Sequence, residues 1–246
     1  MNTEISRGSS SRLVDAHCHL HEFSLGDIEK YRGYRILAVS DDFNSSLRTL
    51  DIAERFDNVL PCIGLHPWEV KEDSLDEVEK ICELAPRVRC LGEIGLDKLF
   101  TPQTFKLQLR VFSIFLEAAK EYGLIVNLHA AGAWREVYDL VEKHEIEKAI
   151  FHWYSGPLDL LEKITDSGYF ITINPTVKIN KKHMKALEAV EVENLLTESD
   201  GPYKYRGFNL KPELVKEVVR VIAEVKNLGV DEVKTQVNKN LDALFA

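Results

Sequence analysis

The sequence predicts a single-domain α/β fold, a (β/α)8 barrel of the TIM type. Three observations point there. Short β-rich apolar runs alternate with amphipathic stretches about eight times, the pattern of repeated βα units. The chain has 246 residues, close to the length of one such barrel. Polar residues of catalytic type gather at the ends of the apolar runs, where these barrels carry their sites. A doubly wound open sheet shares the alternation and differs in strand order, which a sequence does not spell out. No glycine-rich dinucleotide fingerprint speaks for it.

In chain order, strands are expected near Leu13–His17, Tyr34–Val39, Val59–Leu65, Val88–Glu93, Leu124–His129, Ala149–His152, Tyr169–Ile173 and Leu195–Thr197. The clearest helix runs from Pro102 to Tyr122. Thr101 suits its N-cap and Pro102 its first position, where the missing N–H costs nothing. Phe105, Leu109, Phe112 and Leu116 recur every three or four residues and predict a core-facing stripe. Gly123 ends that helix before the next strand. Residues 1–11 are polar and serine-rich and are expected to form a flexible tail without a signal-peptide core. The barrel is expected over residues 12–246.

Composition narrows the classes. The chain is 45% hydrophobic and 29% charged, an ordinary globular mixture. No apolar run is long enough to span a bilayer. Cys18, Cys62, Cys82 and Cys90 show no paired spacing, so they are expected reduced, in a cytoplasmic protein. Alternation turns Cys18 away from the face its neighbours share. The net charge of -9 does not advertise a polyanion partner. No obligate protein partner is evident.

The chemistry begins at Val14-Asp15-Ala16-His17-Cys18-His19-Leu20. Alternate residues of a strand share a face, so His17 and His19 project side by side, half of a tetrahedral metal site. The other strand ends supply His66, Glu93, His129, His152 and Asp200. Five of the eight histidines fall at strand ends; His21, His144 and His183 are expected to face solvent. The donor set suggests two divalent ions. His17, His19 and Asp200 would hold one, His129 and His152 the other, with Glu93 bridging. Ions about 3.5–4 Å apart can activate a water and stabilise both attacking and leaving oxygens. Asp200 is the candidate to accept the water's proton. Glu198 and Asp97 read as partners that orient histidines. Zinc and manganese suit imidazole better than magnesium does.

Together these segments resemble the TatD-related metal-dependent hydrolases, a branch of the amidohydrolase-like barrels whose members are often DNases. The carriers are Val14 to Leu20, Gly64-Leu65-His66-Pro67, Gly92-Glu93-Ile94-Gly95-Leu96-Asp97, Gln108 with Phe112, His129, His152 with Ser155-Gly156, and Glu198-Ser199-Asp200-Gly201-Pro202. Asn209-Leu210-Lys211-Pro212 and Asn240 also match. The resemblance implies a barrel with metal ligands His17, His19, Glu93, His129, His152 and Asp200, and His66 near the substrate. Departures cluster at the expected barrel mouth. Ala130-Ala131-Gly132 follows His129 where the family commonly has Ser-Arg-Asp. Lys98-Leu99 replaces an aromatic pair, and Trp153-Tyr154 and Asn174-Pro175 are further changes. No metal ligand is lost.

A phosphate-binding surface is the remaining question. Lys178, Lys181, Lys182 and Lys185 share one face if their segment is helical, and Lys98, Arg135, Lys204 and Arg206 follow other strands. Trp68, Trp153, Tyr154, Tyr203 and Tyr205 offer rings for base stacking. A solvated lysine face and loop packing are the plainer readings. From this set Lys178, Lys182, Trp153 and Tyr203 are taken as candidate substrate contacts, together with His66, which the resemblance places near the substrate. The leading function is a metal-dependent phosphodiesterase or deoxyribonuclease acting on DNA. The alternative is an amidohydrolase cleaving a lactone or cyclic amide at the same centre.

Overall fold

A computed structural model describes residues 12–246; the expected polar tail, residues 1–11, lies outside them. Eight parallel strands form one sheet in the order β1 to β8. They are β1 (Leu13–Cys18), β2 (Tyr34–Ala38), β3 (Val59–Ile63), β4 (Cys90–Gly95), β5 (Ile125–His129), β6 (Ala149–Phe151), β7 (Phe170–Ile173) and β8 (Leu195–Thr197). The sheet curls until its first and last strands meet. Thr197 Oγ1 donates to the Val14 carbonyl, and the Asp200 amide donates to the His17 carbonyl at 3.0 Å. The open-sheet alternative is thereby excluded.

Helices α1 (Leu25–Ile28), α2 (Phe43–Arg55), α3 (Ser74–Cys82), α4 (Phe105–Tyr122), α5 (Trp134–Lys143), α6 (Leu158–Asp166), α7 (Lys181–Ala189), α8 (Val215–Lys226) and α9 (Val230–Phe245) form the outer layer. A two-stranded ribbon, β9 (Lys204–Tyr205) with β10 (Phe208–Asn209), stands in the loop after β8. Every barrel strand reads as near-continuous apolar residues because both faces are covered, and Ile36, Leu37, Ile63, Leu91, Val126, Ile150 and Ile171 are fully buried.

Several expected boundaries shift. β4 starts at Cys90 rather than Val88, because Val88 still closes a turn on the Ala85 carbonyl. β3 stops at Ile63, short of Leu65. The long helix proper begins at Phe105, behind a 3-10 turn over Pro102–Thr104. Thr101 does not cap it; its carbonyl and hydroxyl accept from Gln108 Nε2 at 2.9 and 3.0 Å. Gln108 Oε1 in turn accepts from the Asp97 amide at 2.8 Å, so a buried amide braces the loop after β4. The buried stripe accordingly rotates to Val111, Phe112, Phe115, Leu116 and Ala119, with Phe105 and Leu109 half-buried. Gly123 ends the helix left-handed at φ 62°, as expected.

One side chain expected at the surface, His183, is buried, and so is Tyr154, for which loop packing is the plainer reading. His183 is fully enclosed. Its Nδ1–H donates to the Tyr154 carbonyl at 2.6 Å and its Nε2 accepts from the Asn174 amide at 3.1 Å. It ties α7 to the loops after β6 and β7. Tyr154 packs inside and donates to the Pro157 carbonyl at 2.6 Å, which removes it from any stacking surface. The four cysteines are free, and Cys18 is buried on the side away from His17 and His19.

Candidate metal centre

The C-terminal strand ends bring one carboxylate, Glu93, to the middle of five imidazoles. Its two oxygens face different partners. Oε2 lies 3.1 Å from His17 Nε2 and 3.4 Å from His19 Nε2. Oε1 lies 2.6 Å from His129 Nδ1, 2.9 Å from His152 Nε2 and 3.3 Å from His66 Nε2. Asp200 Oδ1 closes the first side, 3.5 Å from His17 Nε2 and 3.4 Å from His19 Nε2. The rings of His17 and His152 stack at 3.9 Å, so the two halves touch.

An outer layer fixes which ring nitrogen points inward. His17 Nδ1–H donates to Asn127 Oδ1 at 2.8 Å, and Asn127 Nδ2 is committed to the Ala16 carbonyl. His129 Nε2–H donates to Asp97 Oδ2 at 3.0 Å. His19 Nδ1 sits 2.9 Å from Asp41, and His152 Nδ1 sits 3.6 Å from Glu198. Neutral imidazole carries one N–H, so the His17 and His129 bonds leave His17 Nε2 and His129 Nδ1 as lone pairs aimed at Glu93. A ring nitrogen 2.6–3.1 Å from a carboxylate oxygen needs either a proton or a metal cation between them. The donor set fits divalent metal; His17 groups with His19 and Glu93 and also with His152 and Asp200.

His66 is wired the opposite way. Its Nδ1 accepts from the Trp68 amide at 3.1 Å, which places the proton on Nε2. That nitrogen can donate to an oxygen at the centre and does not resemble a ligand.

Burial alone would raise the Glu93 carboxyl, but the surrounding His66, His152 and His17 rings hold it well below the usual range. Burial works against Asp97 too; bonds from His129, the Phe100 amide and Trp68 outweigh it and hold the carboxyl at about 2. Glu198 is also kept low against burial, by His152. These groups stay anionic at neutral pH, as a dication's surroundings require.

Local backbone delivers the last two candidate ligands, Asp200 and His152. Asp200 adopts φ 53° and Trp153, after His152, φ 45°, conformations that cost about 1–3 kcal/mol each. Buried Asp15 holds the first by accepting the Ser199 amide at 2.8 Å. Thr172 Oγ1 and Glu198 hold the second through the Trp153 amide at 2.8 and 3.1 Å. Gly95 supplies the close approach of β4 and β5. A Cβ there would stand 2.0 Å from the His129 carbonyl oxygen, at φ +144°.

A cavity of about 1020 Å³ opens over the centre. His66, Trp153, Tyr203 and Lys182 line it, with Trp68, Tyr205, Lys185 and Arg206. Lys178 does not; its ammonium pairs with Glu217 at 3.8 Å. Lys98 and Arg135 are likewise engaged, with Glu136 and Asp159. His21, expected in solvent, lies 3.0 Å from Asp41 Oδ2. Asn127, Asp41 and Asp15 were not among the candidates. A lone Asn in an apolar strand carries no distinguishing signal.

Residues 14–246 match the family model for TatD related DNase. An uncharacterised metal-dependent hydrolase of Methanocaldococcus jannaschii is 31% identical, over 95% of this chain and 97% of its own. Deoxyribonuclease TATDN3 of Homo sapiens is 26% identical, over 97% of this chain and 96% of its own. The crystal structure of YJJV, a TatD homologue from Escherichia coli k12, superposes with a TM-score of 0.86 at 25% identity, covering 96% of this chain and 98% of that one.

Proposed function

The chain belongs to the TatD-related DNase family, and on that premise we propose that it hydrolyses phosphodiesters, DNA among them, with two divalent ions shared through Glu93. The observation that carries this reading is the division of the Glu93 oxygens, Oε2 toward His17 and His19, Oε1 toward His129 and His152. Bound there, two ions would polarise a phosphoryl oxygen and ease deprotonation of a water. Asp200, at the cavity wall, accepts the proton of the attacking water. His66 Nε2–H donates to a phosphoryl oxygen. Trp153, Tyr203 and Lys182 flank the rest of the substrate. The P–O bond to the leaving alcohol breaks, and the alcohol departs with a proton returned from Asp200. Four free cysteines favour a reducing, cytoplasmic setting. No helix among the described residues is long and apolar enough to cross a membrane.

The test pairs elemental analysis with turnover. Protein loaded with zinc or manganese should hold about two ions per chain and cleave bis-p-nitrophenyl phosphate and single-stranded DNA. Glu93→Ala and Asp200→Asn should each lower the rate by about a hundredfold or more, with reduced metal content for Glu93→Ala. Full activity in both variants defeats the proposal. A second reading, an amidohydrolase for lactones or cyclic amides, draws on the apolar stretch Ala130-Ala131-Gly132 at the cavity. Lactone turnover with no phosphodiester cleavage would select it.

A further inference from the structure

The barrel divides the cavity wall into three sectors of different chemistry. Loops after β1 to β3 contribute the carboxylates Glu22, Asp41 and Glu69. Helix α7, which follows β7, contributes Lys182 and Lys185, and the loop after β8 contributes Arg206, none of which forms an ion pair among the described residues. The loops after β4 to β6 are apolar, with Leu99, Phe100, Ala131, Trp134 and Leu158 facing the cavity. Leu99 and Phe100 are 65% and 63% exposed, and large exposed apolar groups beside a site mark ligand contact. The two cations that could have served this sector, Lys98 and Arg135, are paired with Glu136 and Asp159 and do not line the cavity.

Above the metal ligands runs a row of rings. Phe100 meets Trp68 at 5.5 Å, Trp68 meets Tyr203 at 6.2 Å, and Tyr203 meets Trp153 at 6.2 Å, at interplanar angles of 70°, 61° and 74°. Rings packed edge to face leave no parallel slot between them for an intercalated base, so a base could rest only on an outer ring face. A polynucleotide crossing the mouth would also carry phosphates over sectors that are acidic or apolar. Only one sector can receive a second anion.

We infer that the preferred substrate is a short phosphodiester with one apolar substituent, seated against the β4–β6 loops, and its polar end toward Lys182, Lys185 and Arg206. The inference rests on the phosphodiesterase reading and narrows its substrate from polymer to small ester. Water adds to phosphorus, the P–O bond to the apolar alcohol breaks, the alcohol leaves protonated, and a phosphate monoester remains.

The test compares two hydrolysis-resistant monoanions, the monomethyl esters of naphthylphosphonate and of methylphosphonate. Each is titrated calorimetrically into the metal-loaded protein and used to inhibit bis-p-nitrophenyl phosphate turnover. The naphthyl compound should bind at least about tenfold tighter. In Leu99→Ser/Phe100→Ser that ratio should fall below about threefold, whereas Lys182→Gln/Lys185→Gln, which face the polar end that both probes lack, should leave it unchanged. Equal affinities in the wild type, or a ratio indifferent to the Leu99 and Phe100 changes, overturn the inference. So does a single-stranded dodecanucleotide that outcompetes the naphthyl compound and binds the Leu99→Ser/Phe100→Ser protein equally well. Failure to turn over any phosphodiester would instead strike the functional reading, since the binding ratio is measured without catalysis.

Discussion

Asn127 carries more of the centre than its residue type suggests. It accepts from His17 and donates to Ala16, and so holds His17 with its lone pair facing Glu93. Asn127→Ala should lower activity or metal affinity by about 10–100-fold, the usual cost of removing such a support. Metal content and kcat, measured side by side, check it; unchanged values for both would show that His17 orients itself. The six ligand candidates were legible in the sequence because imidazole and carboxylate at strand ends have few other uses. Asn127 and Asp41 were not, because each acquires meaning only from a partner, 110 positions away for Asn127. His66, read from the sequence as a candidate substrate contact, lines the cavity, while its proton position needed the Trp68 amide.

At the scale of elements, the alternation of strands and helices was readable throughout, and the errors lie at the ends. Element boundaries depend on turns such as Ala85–Arg87 and on Gln108, whose bonds to Thr101 and Asp97 are tertiary. Gly95 shows how narrow an end can be. Gly95→Ala would force β4 from the His129 carbonyl and should destabilise the fold by at least about 2 kcal/mol, read from urea unfolding. A substitution within 0.5 kcal/mol of wild type would mean that β5 yields easily. His183 joins α7 to the loop after β7 and stays neutral, since burial holds its pKa below the ordinary 6.5. In the unfolded chain it protonates near that value, so its contribution is complete above about pH 6.5 and fades as pH falls toward the depressed folded value. His183→Asn should therefore cost about 1–3 kcal/mol at pH 7.5, and the cost should shrink by pH 5.5. A penalty that grows on acidification contradicts the neutral assignment.

The whole molecule holds a knot of negative charge and lone pairs inside a closed barrel. Metal that binds only the folded chain stabilises it by mass action, about 2.7 kcal/mol at a hundred times the dissociation constant. Thermal midpoints should rise with added zinc or manganese and fall after chelation, by roughly 2–4 °C per kcal/mol for a chain of this size. A midpoint indifferent to metal would argue against any ion at Glu93. The net charge of -9 remains the sequence property least informative about substrate, because the cavity sorts its charges by sector and the sum hides the sorting.

One bond described above gives the protein a built-in optical probe. The indole N–H of Trp68 donates to Asp97 Oδ2 at 2.5 Å, the same oxygen that steers His129. Charge arriving at His129 is thus relayed to a fluorophore through a single shared atom. With Trp134 and Trp153 replaced by phenylalanine, the emission colour of the remaining tryptophan would follow loading in real time, without a label.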